Sequence, residues 1–334
     1  MSKRMTRGSR LTYGLIAVGA LLLSATASAQ TNEDRAYVSF SLARGTAIGS
    51  GGGKLANWRQ WDLRMPLPPV FLGKTIIVPS LAYETRWLAL EPQGVLVGRD
   101  EDDLGRRFHR IQLGLTVVRP LAPRWLMFAG VSSTARTDFR SSFDVGMDMS
   151  WVGYAMANYL IGGDPGMRLM FGAVVMWPFN VLPVIPIVGF SYRKGPYVVE
   201  LGLPRLTLLR KFGDGLELGV AGMFDQQVFH ARMPDDGQAL GAHFVRETSL
   251  HFGPTANVRL GGGTVWLSTS VGLDVLNDFA LLDRDRKALE LGASSTRPAP
   301  FLRVALNWRP PRPASKVPVP SVAPEQDTPD APAR

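Results

Sequence analysis

A chain of 334 residues with 46% hydrophobic and only 19% charged positions, 35 glycines and a formal charge of +9 is poorer in charge than an average soluble domain. It holds no cysteine, which excludes a disulfide framework and a cysteine-borne lipid anchor. Four of the cations precede residue 11, leaving 33 Lys and Arg against 28 Asp and Glu; with no clustered basic motif, nucleic-acid binding is not expected.

The first 29 residues read as a cleavable export signal. Lys3, Arg4, Arg7 and Arg10 precede the apolar run Leu11 to Leu23, and Ala27-Ser28-Ala29 supplies a small-x-small exit. Cleavage is expected after Ala29. Beyond it, no run of about 20 apolar residues could cross a membrane as a helix. The nearest candidate, 173–190, is interrupted by Pro178, Asn180, Pro183 and Pro186. Two all-β classes remain, a secreted sandwich and a transmembrane barrel.

Period-2 alternation predicts strands at 35–44, 54–66, 73–90, 107–119, 124–136, 143–161, 167–177, 184–193, 196–203, 205–212, 216–229, 243–260, 264–276 and 299–308. In 110–117, Ile111, Leu113, Leu115 and Val117 alternate with Arg110, Gln112, Gly114 and Thr116. In 143–159, the odd face from Phe143 to Tyr159 is apolar and the even face carries Asp144, Asp148, Ser150 and Asn158. Such alternation gives one dry and one wet face. Several segments exceed the roughly 9–11 residues a tilted strand needs to cross a bilayer. Tyr37, Trp87, Phe108, Trp125, Tyr159, Trp177 and Trp308 sit near segment ends, where interfacial girdles are expected.

Connections alternate as well. Pro120–Pro123, Gly162–Gly166, Lys194-Gly195, Gly213–Gly215 and Gly261–Gly263 are tight, whereas 45–53, 91–106, 230–242 and 277–298 are longer. Short turns on one rim and long loops on the other describe an outer-membrane barrel with the short turns and both chain ends in the periplasm. The expected fold is therefore all-β: an antiparallel up-and-down transmembrane barrel over residues 30–308. Near Pro204 the apolar face changes phase, either a hairpin giving 14 strands or a bulge giving 13. Fourteen is the expectation, with 12 the even-numbered fallback. Residues 309–334 include eight prolines and are expected to form a disordered periplasmic tail.

Arg119–Val131 (RPLAPRWLMFAGV), Val199–Leu209 (VELGLPRLTLL) and Gly213–Gly219 resemble recurring features of an uncharacterised family of bacterial outer-membrane β-barrel proteins. The resemblance spans about residues 35–308. It implies fold and location only, because the family is a domain of unknown function with no activity or site residues to carry over. Such barrels end on an aromatic residue read by the barrel assembly machinery; here Leu306 and Trp308 are followed by the tail.

On the wet faces, the lumen-lining charges are expected to be Asp62, Arg64, Glu84, Arg86, Arg110, Asp144, Asp148, Arg168, Glu200, Glu217, Glu247, Arg259, Asp274 and Arg303, with His251 beside them. Arg193, Arg205 and Lys211 share those faces. The signs are nearly balanced, which suggests ion pairs across the lumen rather than a selective constriction of one sign. Glu247, Ser249 and His251 share a strand face, but next-but-one side chains lie about 7 Å apart, too far for a direct Ser–His bond, so no enzyme is expected. The acidic run Asp100–Asp103, flanked by Arg99, Arg106 and Arg107, and the run Asp283–Lys287 read as hydrated loops. No cofactor or metal is expected. Expected partners are outer-membrane lipids and lipopolysaccharide, the assembly machinery and small solutes. The functional expectation is a pore or a transport barrel for small solutes or hydrophobic compounds. A sealed barrel for envelope integrity is the alternative, and a lipid hydrolase a distant third.

Overall fold

Alternating side chains carry nearly all of the described chain into one antiparallel sheet that closes on itself. The computed structural model describes residues 36–48, 53–92, 106–140, 142–178, 184–202, 204–232, 241–289 and 297–309. Its strands are β1 Ala36–Ile48, β2 Gly53–Pro66, β3 Val70–Leu72, β4 Thr75–Pro92, β5 Arg106–Ala122, β6 Trp125–Thr137, β7 Met149–Leu160 and β8 Met167–Trp177. They continue as β9 Val184–Tyr192, β10 Tyr197–Gly202, β11 Arg205–Phe212, β12 Leu216–His230, β13 Phe244–Arg259, β14 Val265–Leu282 and β15 Ala299–Trp308. Except for β2 and β3, consecutive strands pair; β1 pairs with β15, and β2 pairs directly with β4. β3 is a three-residue flap on β4. The wall is thus a closed ring of 14 staves. Among the described residues, no helix is long and apolar enough to cross a membrane.

The phase switch at Pro204 is a hairpin: Gly202 pairs with Arg205 and Tyr197 with Arg210. That gives 14 staves, not 12 or 13. Tight connections lie together on one rim, called the lower rim; Gly261 and Gly262, both with positive φ, make the β13–β14 turn there because glycine adopts that conformation without a Cβ clash. The outward face is apolar and exposed along the staves, as Trp61, Leu113, Val131, Val188, Phe252 and Val271 show. Water would make such a belt costly, and acyl chains would not.

Three expectations need correction. Residues 143–148 are not strand. The Asp144 carboxylate accepts the amides of Gly146 and Met147, capping a single helical turn, α1 (Val145–Asp148), before β7 begins. Tyr37 and Phe108 are not girdle aromatics but point inward and are buried. Strand β14 continues to Leu282, and a register shift between Leu250 and His251 exchanges its inward parity. Below the shift, where Gly253 and Gly272 face each other, the backbones come close: a Cβ on Gly272 would lie 2.2 Å from the carbonyl oxygen of Phe252.

At the upper rim the ring is pinched. β11 stops opposite Met223 of β12, and β12 runs on to His230 without it. There His230 forms a parallel bridge with Thr137 of β6 across the mouth, and the amide of Asp138 donates to the His230 carbonyl. α1 buttresses the junction, its Asp148 carboxylate 2.8 Å from His230 Nδ1.

Candidate functional site

The pinch draws inward charges from opposite walls into one buried cluster. Arg86 of β4 donates to Glu247 of β13 at 2.5 Å, Asp225 of β12 at 2.6 Å, Glu84 at 2.7 Å and Gln60 of β2 at 3.4 Å. Arg110 of β5 reaches the other Glu84 oxygen at 2.8 Å and lies 3.9 Å from Asp62, which accepts the Tyr37 hydroxyl at 2.7 Å. Arg86, Glu84 and Glu247 are at most 1% exposed. Beside Arg86 lie the rings of Trp58 and Phe229, and Phe229 stacks on Phe108 at 4.9 Å. Trp58, Phe108 and Phe229 belong to one buried apolar cluster with Phe301 and Leu88. Among the described residues, the lumen at this level is filled.

A buried guanidinium is tolerated because each carboxylate that reaches it offsets its desolvation. Removing one member strands the rest, which is why breaking such a pair costs about 3–5 kcal/mol. The cluster ties β2, β4 and β5 to β12 and β13, more than 100 residues on in the chain, and so works as a clasp across the lumen.

The other expected residues are scattered along the lumen and its ends. Glu200 pairs with Arg193, and Glu217 accepts from Arg309 at 3.0 Å and Asn257 at 2.9 Å, both nearer the lower rim. Arg259 donates to the Gly263 carbonyl in the lower turn. Arg303 lies 3.4 Å from Ser39 and over the Tyr37 ring. Arg64 and Arg168 sit on β2 and β8, outside the clasp. Asp144 caps α1 and Asp148 holds His230, so both act in a connection rather than on the strand expected for them.

The Glu247–Ser249–His251 arrangement does not form a catalytic triad. Glu247 is engaged by Arg86, the buried Ser249 hydroxyl has no partner among the described residues, and His251 Nδ1 faces Asp274 at 3.7 Å while its ring packs on Trp58 and Phe301. Residues 100–103 lie outside the described residues. In the run Asp283–Lys287, Lys287 and Asp285 are exposed, but Arg286 turns back over the Phe244 ring at 4.8 Å and donates to the Met147 carbonyl. Burial pushes its guanidinium pKa down.

Sequence reasoning missed Asp225, Gln60, Arg136 and Tyr37. Asp225 shares its parity with Glu217 on the same strand, so alternation alone would have placed it inward. Arg136, inward on β6, donates to Gln227 at 3.1 Å and Ser150 at 2.5 Å. It lines an upper-rim cleft with Ser150, Val152, Met176, Trp177, Gln226, Val228 and Arg286.

No protein-family model and no curated protein matches the chain. The deltaS2 mutant of the monoaromatic hydrocarbon channel TodX is similar at 8% identity, over 86% of this chain and 93% of that one, with a TM-score of 0.44. The translocator domain of the autotransporter NalP from Neisseria meningitidis is similar at 10% identity over 90% and 97%, TM-score 0.33. LpxR from Salmonella typhimurium is similar at 10% over 82% and 99%, TM-score 0.30. These structural neighbours are outer-membrane β-barrel proteins. The likeness is one of fold alone.

Proposed function

We propose that the protein is an outer-membrane barrel closed to ions and hydrophilic solutes, serving the envelope as a sealed structural or interaction barrel rather than as an open pore. In this reading residues 1–29 are removed on export, the lower rim faces the periplasm with the proline-rich tail, and the apolar outward belt meets the acyl chains. The observation that carries it is the clasp: Arg86 is bonded to carboxylates from three staves, including the opposite wall, in the middle of the lumen. An aqueous path would require those contacts to open and the buried charges to be rehydrated.

Liposome swelling tests this directly. Vesicles holding the folded protein should swell no faster in arabinose or in a small amino acid than protein-free vesicles. Swelling at a rate that scales with solute size, as for a general pore, would contradict it.

A second reading, a conduit for small hydrophobic compounds, is favoured by one feature: an apolar patch on the inner face of β7–β9, where Val152, Val174 and Ile187 pack against Tyr154, Met156 and Met176. It predicts that cells carrying the protein take up an apolar dye faster than cells lacking it. Equal uptake would remove this reading.

A further inference from the structure

The upper half of β12 breaks a rule that its lower half keeps. Up to Phe224 the even positions face outward and carry no polar side chain, with Leu218, Val220 and Phe224 apolar. Above it they are Gln226, Val228 and His230, and the neighbouring even positions of β13 include Arg246 and Thr248, with Gln226 bonded to Thr248. A polar run is costly against acyl chains. Here it is not against them, because the pinch turns this face toward the inner side of β6–β8 and encloses the cleft between.

Two guanidiniums look into that cleft, Arg136 from β6 and Arg286 from the β14–β15 connection. Among the described residues neither is held by a carboxylate. Arg136 donates to an amide and a hydroxyl, and Arg286 to one backbone carbonyl at 3.4 Å while stacking on Phe244. Elsewhere in the lumen Arg86, Arg110, Arg193 and Arg309 each have a carboxylate. Ser150 and Gln226 also line the cleft, and Val152, Met176, Pro178 and Val228 give it an apolar wall. Trp151 and Trp177 also line it and stand 47% and 57% exposed at the upper end of the outward face, the level at which indoles meet headgroups.

We infer that this cleft docks one anionic lipid of the surrounding leaflet, its phosphate on Arg136 and Arg286 and the start of its acyl chain along Val152, Met176 and Trp177. Arginine recognises phosphate through paired, charge-assisted donors, and two of them together favour a phosphate ester over a neutral headgroup. A free phosphate would satisfy the guanidiniums and leave the apolar wall and girdle tryptophans unused. The inference rests on the outer-membrane reading, which alone brings lipid to this level.

Native mass spectrometry of the full folded chain in detergent tests it with three probes: phosphatidic acid, diacylglycerol of the same chains, and inorganic phosphate. One phosphatidic acid should be retained per chain, with neither of the other two held comparably. Arg286→Gln should weaken retention about tenfold, the loss of one charge-assisted bond pair, and Arg286→Lys should recover part of it. Arg286 lies in a connection, so this variant keeps every stave; heat-modifiable migration on gels verifies that it is folded. Arg136→Gln should weaken retention to a similar degree. Undiminished retention by folded Arg286→Gln, or equal retention of diacylglycerol or of inorganic phosphate, would overturn the inference. A wild-type chain that is not heat-modifiable would instead remove the barrel reading beneath it.

Discussion

Along β2, β4, β5, β12 and β13 the inward side chains at mid-lumen are Asp62, Glu84, Arg86, Arg110, Asp225 and Glu247; along β7–β9 they are Val152, Val174, Met176 and Ile187. Both walls exclude water, by opposite means. The charged wall does so through bonds between distant staves, so each member depends on partners across the lumen. The apolar wall does so by packing between adjacent staves, where each side chain contributes in proportion to the surface it covers. Damage to the first should therefore spread, and damage to the second should stay local.

The largest effect is expected at the clasp. Arg86→Met leaves Glu84, Asp225 and Glu247 without their shared cation and should lower stability by about 3–5 kcal/mol, read as a fall in urea midpoint for the detergent-folded protein. Adding Glu247→Leu to it should recover part of the loss, since an apolar pair can replace a buried ionic one. If the single variant is no less stable than wild type, the clasp does not hold the ring together.

Next comes Val174, 1% exposed in the apolar wall. Val174→Ala should cost about 2 kcal/mol from lost methyl groups and the space they leave. Calorimetry would show it, with no change in any property of the charged wall. A loss as large as that of Arg86→Met would erase the distinction between the walls.

Asp148→Ala frees His230 and loosens the pinch, at about 1–2 kcal/mol. Hydrogen exchange should rise at Thr137 and His230 and stay level at the lower turns; uniform exchange would contradict a local pin. Smallest of all is Lys194→Ala. The Lys194–Asp164 pair on the lower rim is 3.6 Å long with the lysine 65% exposed, and thermal unfolding should move within about 0.5 kcal/mol.

The ring itself was legible in the sequence. Alternation marks the inward parity of Asp62, Glu84, Arg86, Arg110 and Glu247, while the phase change at Pro204 fits a hairpin or a bulge and only the pairing of Gly202 with Arg205 makes it a hairpin. What pattern does not carry is which inward charges meet. That depends on β12 outrunning β11 and crossing to β6, a consequence of strand lengths on different parts of the ring. Likewise the odd-position apolar residues Phe143 and Val145 extend the β7 pattern in sequence, yet Asp144 diverts the backbone into a capped turn. Polar residues on the outward parity of β12 and β13, Gln226 and His230 with Arg246 and Thr248, are the trace the pinch leaves in the sequence.

The most direct test is single-channel conductance in a planar bilayer, using folded protein without its first 29 residues. A lumen closed by Arg86 and its carboxylates predicts no stepwise current in wild type under conditions where folding is verified. Stable, stepwise conductance from the wild-type protein would contradict the closed-barrel account.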